Sequence, residues 1–230
     1  MLALLYDIHG NLPALDAVLE DARERGADRF VLGGDYAAFG AWPLECVRRL
    51  RELGDDAVWI RGNWERWGAD PSAGPATEVV QGAATAMREA LGERLIAELA
   101  ALPGQAEVDG ALVCHASPIS DMEPFGRDAD ADGDGQLLAG IAQQRVVFGH
   151  SHVQFRRVSA GGVELVNPGS VGLAWDGDTR AAYATVGDDD AVELHRVDYD
   201  VELAAGALDA IDAPWATTPA RWLRAARFEV

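Results

Sequence analysis

Residues 2–11 read LALLYDIHGN, a short apolar run that ends in a polar, glycine-containing motif. An apolar run of this length bounded by polar residues is typical of a buried strand. A helical pattern begins at Asn11, with Pro13 in the first turn, and Gly26 is a natural stop. The stretch therefore predicts a strand, a polar turn and a helix in immediate succession.

The same succession occurs twice more in the first third of the chain. An apolar run at 30–32 ends in GGD (33–35), and another at 57–60 ends in RGN (61–63), with a helical pattern over 43–53 between them. Repeated strand–helix units build a parallel sheet covered by helices, and ligands bind at the carboxyl ends of such strands. We therefore predict an α/β fold whose functional site lies where these polar motifs meet.

The second half has the pattern of a second sheet. Asp109-Gly110 is a strong hairpin signal between apolar runs at 106–108 and 111–114. Further strands are predicted at 145–148, 153–159, 163–166, 181–186 and 191–197, and helices at 77–102, with a break at Gly92, and at 135–143. We expect one two-sheet domain over residues 1–230, with 199–230 as a C-terminal helical tail.

Composition and charge narrow the function classes. The 230 residues are 49% hydrophobic and 25% charged, as in ordinary globular proteins, but the formal net charge is −19. A chain this acidic repels nucleic-acid phosphates and anionic membrane surfaces unless bound cations reverse the field locally. We therefore expect neither a nucleic acid nor a membrane as partner.

The opening residues and the cysteines carry no sign of secretion. The N-terminal segment lacks a basic region and a long apolar run, and Cys46 and Cys114 are far apart without a CxxC spacing. We expect a cytoplasmic protein without a disulfide framework. The oligomeric state stays open, with Trp215 and Trp222 in the tail as an apolar patch that would suit a homodimer.

Four of the five histidines stand in short polar motifs that each follow an apolar run. The set, in chain order, is Asp7-x-His9, Gly34-Asp35, Gly62-Asn63, His115 and Gly149-His150-x-His152. Aspartate, asparagine and histidine bind divalent metals through oxygen and imidazole nitrogen. Each motif alone is weak evidence, but the ordered set indicates a metal-dependent site.

This ordered set resembles the calcineurin-like metallophosphoesterase superfamily, in its small bacterial and archaeal phosphodiesterase branch. Asn167-Pro168-Gly169-Ser170 and the Tyr199-Asp200-Val201-Glu202 segment extend the resemblance over nearly the whole chain. It implies a four-layer αββα fold, a two-sheet β-sandwich flanked by helices, with two metals at the strand ends. It also implies a metal-dependent phosphoesterase with a small phosphoester substrate, acting on diesters more than on monoesters.

The resemblance also implies a ligand set for each metal. One ion would be held by Asp7, His9, Asp35 and His152, and the other by Asp35, Asn63, His115 and His150. Asp35 would bridge ions about 3.5–4 Å apart, with a bridging water or hydroxide as the nucleophile. Mn²⁺ is the preferred pair, with Fe, Zn, Co or Ni as alternatives, because mixed nitrogen and oxygen ligands do not select sharply.

One position departs from the family pattern. Many members have a histidine directly after the asparagine of the third motif, whereas this chain has Trp64. Tryptophan cannot transfer a proton at neutral pH, so this position supplies no general acid. General-acid catalysis typically raises the rate about 10²–10⁴-fold. Three consequences stay open: substrates with good leaving groups, partial replacement by Arg61 or Arg66 as charge stabilisers, or a catalytically weak metal-binding scaffold. We favour the first.

The remaining site assignments follow from these motifs. Asp35, Asn63 and Arg61 are the predicted catalytic residues, and Asn11, Trp64 and Arg66 the predicted substrate contacts. Asn11 is equally suited to cap a helix, and Trp64 to stack on a nucleobase or to pack with Trp59 or Trp67.

Two weaker signals concern the second half of the chain. Asp128-x-Asp130-x-Asp132-Gly133 begins like a calcium loop but has Ala139 where a bidentate glutamate is needed, so we interpret 128–139 as an acidic loop, with a weak calcium site as the alternative. Asp134 is expected to cap the following helix. His195 falls with the polar residues of its strand and is expected at the surface.

Overall fold

The computed structural model describes residues 1–228, which form ten strands and seven α-helices. In chain order these elements are β1 (Leu2–Leu5), α1 (Leu12–Glu24), β2 (Arg29–Leu32), α2 (Pro43–Arg51), β3 (Ala57–Trp59), α3 (Asn63–Ala69), α4 (Glu78–Ala100), β4 (Gln105–Val108), β5 (Ala111–Cys114), α5 (Ala131–Leu137), β6 (Arg145–Val147), β7 (Phe155–Val158), β8 (Glu164–Asn167), β9 (Ala181–Val186), β10 (Val192–Val197), α6 (Val201–Asp209) and α7 (Thr217–Ala225).

The strands form two mixed sheets of five. The first has the order β10-β9-β1-β2-β3, with β1, β2 and β3 parallel to one another and β9 antiparallel to both of its neighbours, β1 and β10. The second has the order β4-β5-β6-β8-β7, with β5, β6 and β8 parallel. Each sheet therefore contains three adjacent parallel strands, and the predicted metal motifs follow β1, β2, β3, β5 and β6.

Alternation along the central strands divides the core into layers. In β1, Leu4 packs between the two sheets, whereas Leu5 packs against the helices on the outer face of the first sheet. In β6, Val147 faces the other sheet and Val146 joins an outer cluster with the side chains that follow α5. Because successive residues of a strand point to opposite faces, strands buried on both faces are apolar throughout.

One helix break and one turn predicted from glycines are confirmed. Gly92 has φ +73° and ψ 159°, so α4 is two helical segments joined at a kink. Asp109 and Gly110 both have positive φ, as the predicted two-residue turn between β4 and β5 requires.

The helix predicted at 135–143 begins earlier than expected. It covers Ala131–Leu137, and its N-cap is Asp130, whose carboxylate accepts from the Gly133 N–H at 3.1 Å. The predicted cap Asp134 is instead a buried residue inside the helix, where it forms a two-pronged ion pair with Arg157 at 2.6 and 2.7 Å. The buried location of Asp134 thus depends on Arg157, a partner distant in the sequence that local sequence does not reveal.

The prediction of a surface location for His195 was wrong. Its strand β10 lies beside helix α1, so the imidazole is buried against Tyr183 and bonds to the Thr185 hydroxyl at 2.7 Å. Leu194, its neighbour, faces outward instead, with 36% of its surface exposed.

The segment from residue 201 contains α6 and α7, which pack on each other and on the helical layer of the first sheet. Trp215 and Trp222 are both buried in that core, so they offer no surface patch for a partner. Among the helices of residues 1–228, none combines the length and apolar character needed to cross a membrane.

Candidate metal centre

All seven predicted metal ligands lie at one edge of the sandwich, where the parallel strands of both sheets end. Asp7, Asp35 and Asn63 follow β1, β2 and β3 of the first sheet. His115, His150 and His152 follow β5 and β6 of the second, and His9 lies in the turn after β1. Residues far apart in the sequence thus meet because parallel strands share the direction in which they end.

These side chains form two clusters, each able to hold one metal ion. Asp7, His9 and His152 make one cluster, and Asp35, His115 and His150 make the other, with the candidate ligand atoms of each lying within 4.8 Å of one another. Asp35 lies between the clusters, since its Oδ2 is 3.8 Å from His9 Nε2 and 3.4 Å from His115 Nε2. Asn63 completes the second cluster, with its Oδ1 3.0 Å from His115 Nε2.

Backbone carbonyls orient three of the four imidazoles. The Nδ1 atoms of His9, His115 and His152 lie 3.0, 2.8 and 2.5 Å from the carbonyl oxygens of Ala38, Gly33 and Leu173. A carbonyl accepts only from a protonated nitrogen, so Nδ1 carries the hydrogen. Such outer partners turn the Nε2 atoms inward, as metal-binding histidines require.

The two imidazoles of the first cluster face each other with their Nε2 atoms 3.1 Å apart. Burial lowers the pKa of His9 to about 4 and that of His152 well below its ordinary value, so both rings are neutral at pH 7. Two neutral rings with Nδ1–H groups on carbonyls point two lone pairs at each other. A cation bound by both nitrogens would replace this repulsion with attraction, so the donor set fits a metal.

The buried carboxylates of the site also need a positive charge to balance them. Asp7 is fully buried, its Oδ2 accepts from the His150 N–H at 2.9 Å, and its Oδ1 has no hydrogen-bond partner. Burial, with Asp35 nearby, raises the pKa of Asp7. Burial alone would lower the pKa of His115, but Asp35 and Asp7 raise it to about 10. A proton on His115 thus occupies a position that suits a metal cation.

Several residues of the site have a left-handed backbone conformation, which residues other than glycine rarely adopt. Asp7, His9, Asp35, His150 and His152 have φ values of +54°, +48°, +58°, +63° and +55°. Left-handed residues of this kind are uncommon and cluster at functional sites. Five of the seven predicted ligands share this feature, which indicates that the turns are shaped to converge their side chains.

Residues 1–189 match the family model described as the calcineurin-like phosphoesterase superfamily domain. The chain belongs to this superfamily. An uncharacterized protein of Methanocaldococcus jannaschii is 30% identical to this phosphoesterase over 230 residues, which cover 89% of this chain and 90% of that protein.

Two solved structures share the fold of this phosphoesterase. A metallophosphoesterase from Sphaerobacter thermophilus superposes with a TM-score of 0.83 at 24% identity, covering 98% of this chain and 99% of that one. A hypothetical protein from Pyrococcus horikoshii gives 0.82 at 20% identity, covering 93% and 95%. The four-layer αββα prediction is thereby confirmed.

Glu65 supports the site of this phosphoesterase and was missed in the sequence. Its buried carboxylate accepts from the backbone N–H groups of Asp35, Tyr36 and Gly62 at 2.9, 3.0 and 2.7 Å, which ties the second and third motifs together. Burial, followed by the charge of Asp35, raises its pKa to about 7. Its place three residues after the helix N-cap Gly62 is the capping-box spacing, a signal that could have identified it.

Two glycines allow the motifs to come this close. Gly34 has φ +94°, and a Cβ there would lie 2.4 Å from the Gly62 nitrogen. At Gly62 a Cβ would lie 2.2 Å from Asp35 Oδ1 and 2.8 Å from His115 Cε1. A side chain at either position would displace the candidate ligands.

Trp175 and Ser170 are further supports that sequence reasoning did not assign. The indole of Trp175 stacks on the His152 ring with centroids 3.8 Å apart and planes 16° apart. The Ser170 hydroxyl donates to the Asp7 carbonyl at 2.7 Å and accepts from the Leu173 N–H, so it links the first motif to the Leu173 carbonyl that orients His152.

Two of the predicted substrate contacts have structural roles instead. Asn11 is buried and caps α1 through its Oδ1, while its amide donates to the Gly172 carbonyl and the Tyr199 hydroxyl. Trp64 is 3% exposed and packs edge-on against Phe39 and Trp67. Only its backbone N–H reaches the site, donating to Asp35 Oδ1 at 3.0 Å. Neither side chain is free to meet a substrate.

The two predicted arginines lie beside the second cluster. Arg66 donates two hydrogen bonds of 2.7 Å to Asp121, so its charge is neutralised within the protein. Arg61 lines a cleft next to His115. Within residues 1–228, the groups of at least three His, Cys, Asp or Glu side chains placed to share a metal ion are the two described above, and neither includes a residue of the acidic loop at 128–139.

Proposed function

We propose that this chain is a dinuclear metal-dependent phosphoesterase that hydrolyses phosphodiesters with good leaving groups. The observation that carries the proposal is the position of Asp35 between two clusters of inward-facing imidazole nitrogens. A carboxylate so placed can bind two ions at once, at the separation of about 3.5–4 Å that two-metal hydrolases use.

The division of the ligands follows the two clusters. Asp7, His9 and His152 would hold one ion, and Asn63, His115 and His150 the other, with Asp35 shared. When bound, the ions would make a water nucleophilic near neutral pH and offset the charge of the phosphoryl oxygens. The mixed nitrogen and oxygen set suits Mn²⁺, with Fe, Zn, Co or Ni as alternatives.

The preference for good leaving groups rests on Trp64. Its indole packs in the hydrophobic core between Phe39 and Trp67 and has no titratable group. The position after Asn63 therefore supplies no proton to a departing oxygen. Aryl and other activated esters need little protonation, whereas alkyl esters need much.

The test is hydrolysis of bis(p-nitrophenyl) phosphate and of p-nitrophenyl phosphate by chelator-treated protein, with and without added Mn²⁺. We expect Mn²⁺-dependent turnover, faster on the diester. Asp35→Asn and His115→Ala are expected to lower kcat by at least about 100-fold, as removal of a charge-stabilising group does. Asp55→Asn and His195→Gln, which change the same residue types away from the site, serve as matched controls.

Elemental analysis separates this proposal from a non-catalytic scaffold of the same fold. About two ions per chain accompanying activity supports the enzyme, as expected of a two-metal site. Turnover that is independent of metal, or unaffected by the Asp35 and His115 variants, would overturn the proposed function.

A further inference from the structure

An aromatic stack connects the first cluster with the protein surface. The indole of Trp175 lies on the ring of His152, with centroids 3.8 Å and planes 16° apart, and His152 is only 2% exposed. Phe228 contacts the same indole with ring centroids 4.8 Å apart and is itself 53% exposed. A candidate metal ligand is thus linked to the surface through two aromatic side chains.

The turn at the end of α7 places Phe228 on this stack. Ala226 has φ +46°, the left-handed conformation that commonly ends a helix, and its carbonyl accepts from the Gly177 N–H at 3.0 Å. That bond joins the turn to the β8–β9 connection, two residues after Trp175. Phe228 also contacts the ring of Trp222, with centroids 4.8 Å apart. Backbone pairing and two ring contacts therefore fix where Phe228 lies.

The orientation of the Trp175 indole depends on packing. Its backbone N–H donates to the His152 carbonyl at 3.2 Å, but its buried Nε1 has no hydrogen-bond partner among the described residues. No polar bond holds the ring, so its orientation is set by the aromatic side chains around it, which are His152, Trp222 and Phe228. Of these three, Phe228 is half-exposed, so it can be changed without opening the core.

The stack matters most before a metal ion is bound. The Nε2 atoms of His9 and His152 lie 3.1 Å apart, and their lone pairs repel each other in the absence of a cation. The Leu173 carbonyl holds His152 at Nδ1, while the indole of Trp175 holds the face of its ring. A ring kept in the binding orientation loses less freedom when an ion binds, and the affinity rises accordingly.

The second cluster lacks this cover within residues 1–228. His150 is partly exposed, and its ring contact is with His115, another candidate ligand of the same ion. No backbone carbonyl in the described part of the chain holds its imidazole. An effect of Phe228 is therefore expected at the first ion and not at the second.

We propose that Phe228 is a positioning residue for the first cluster, where it holds Trp175 against His152 and so raises the affinity for the first ion. This inference rests on the proposed function, in its two-metal part, and deepens it. The ring contacts of Phe228 are with Trp175 and Trp222, so its influence reaches the ligand His152 through Trp175.

The test is a titration of chelator-treated protein with Mn²⁺, in which the free ion is measured by its EPR signal. It is carried out on the wild-type chain and on His150→Ala, which disrupts the second cluster but leaves the ligands of the first ion, Asp7, His9, Asp35 and His152. Wild type is expected to bind about two ions per chain and His150→Ala about one. The affinity for the first ion is thereby measured without turnover.

Phe228→Ala is expected to raise the Kd of the first ion by about 2- to 10-fold, the factor that loss of one aromatic pair represents. Phe228→Tyr keeps the ring and should bind like wild type. Leu203→Ala is the matched control and should leave the Kd unchanged, because Leu203 is an apolar residue of α6 that is 54% exposed. Phe228→Leu, a smaller truncation, should also raise the Kd and takes the place of Phe228→Ala if that variant does not fold.

A double-mutant cycle separates positioning through Trp175 from a general loosening of the fold. In a Trp175→Ala chain, adding Phe228→Ala should not raise the Kd further, because the contact through which Phe228 acts is already gone. A general loosening would raise the Kd by the same factor in both backgrounds.

Two results would overturn the inference. One is a Kd for Phe228→Ala or Phe228→Leu equal to that of wild type, and the other is an equal effect of Phe228→Ala with and without the Trp175 indole. In either case, wild-type protein that binds about two Mn²⁺ ions leaves the proposed function standing. Wild-type protein that binds no Mn²⁺ would count against both.

Discussion

The Nε2 atoms of His9 and His152 face each other across 3.1 Å, while the Nδ1 atoms of both rings face backbone carbonyls. This arrangement places two lone pairs in contact within a buried pocket. It would be favourable with a cation bound by both nitrogens and is unfavourable without one. The relationship makes metal binding and the stability of the fold interdependent.

Metal loading is therefore expected to stabilise the protein against unfolding. An ion at 100 times its Kd adds about 2.7 kcal/mol to the free energy of unfolding. His9→Asn keeps a donor for the Ala38 carbonyl, tolerates the left-handed backbone and removes one lone pair. Without metal the variant should be at least as stable as wild type, and with Mn²⁺ it should gain less, as measured by thermal denaturation. An equal response of both proteins to Mn²⁺ would contradict this account.

Glu65 is expected to be the most sensitive residue outside the ligand set. In Glu65→Gln one carboxylate oxygen becomes an amide that cannot accept from a backbone N–H, so a buried donor loses its partner. Hydrogen bonds to charged groups contribute about 1.5–3 kcal/mol each, and we expect a loss of about 3 kcal/mol in urea unfolding. Glu93→Gln, on the exposed side of α4, should stay within about 0.5 kcal/mol of wild type.

Trp175 should affect metal affinity rather than the chemistry itself. Its Nε1 has no hydrogen-bond partner, so Trp175→Phe retains a ring over His152 without losing a bond. Trp175→Ala removes the ring and is expected to weaken metal binding by about 10–100-fold, as outer-shell substitutions do. Titration of chelator-treated protein with Mn²⁺ checks this. Equal affinities for the Phe and Ala variants would argue against a positioning role.

Restoring a histidine at position 64 is not expected to restore proton transfer. Because the Trp64 side chain fills the core beside Phe39 and Trp67, Trp64→His leaves a void and a polar ring there. We expect about 2–4 kcal/mol of destabilisation and no gain on alkyl phosphodiesters. A selective rise in the rate on alkyl leaving groups would show that this position faces the site.

Titration of His195 is expected to make the stability of the fold depend on pH, independently of the metal. Its pKa is lowered from 6.5, first by burial and then by Arg25, against the opposing charges of Asp21 and Glu193. Just below pH 6.5 the imidazole is protonated in the unfolded chain but stays neutral in the folded protein. The contribution of the neutral His195 to stability is therefore complete above pH 6.5 and is lost as pH falls through the lower pKa of the folded protein. The difference in unfolding free energy between wild type and His195→Gln should shrink as pH falls. A difference that is constant from pH 8 to pH 5, a range chosen to span the ordinary histidine pKa of about 6.5, would refute it.

Local sequence was informative where a polar site residue directly follows a predicted strand. The apolar runs before Asp7, Asp35, Asn63 and His115 predicted that these side chains would meet, since parallel strands end at a common edge. The structure brings them together. The order of motifs thus contained both the topology and the composition of the candidate site.

The residues that sequence reasoning misplaced are those whose environment comes from distant segments. Helix α1 packs against the strand of His195 and buries it, and Arg157 pairs with Asp134 inside the fold. Glu65 reaches Asp35 and Tyr36, and Trp175 reaches His152, across sequence distances that no local pattern indicates. Burial and pairing over long sequence distances are properties of the folded chain, so alternation within one strand or helix does not reveal them.

The facing imidazoles of His9 and His152 come from segments 143 residues apart. During synthesis on the ribosome, the first of them emerges long before the second, when the strands of the other sheet do not yet exist. The donor set of the proposed first ion can therefore be complete only after the chain has been made as far as residue 152 of 230. Binding of that ion then comes after most of the chain has been synthesised, so the ion cannot serve as an early nucleus for folding.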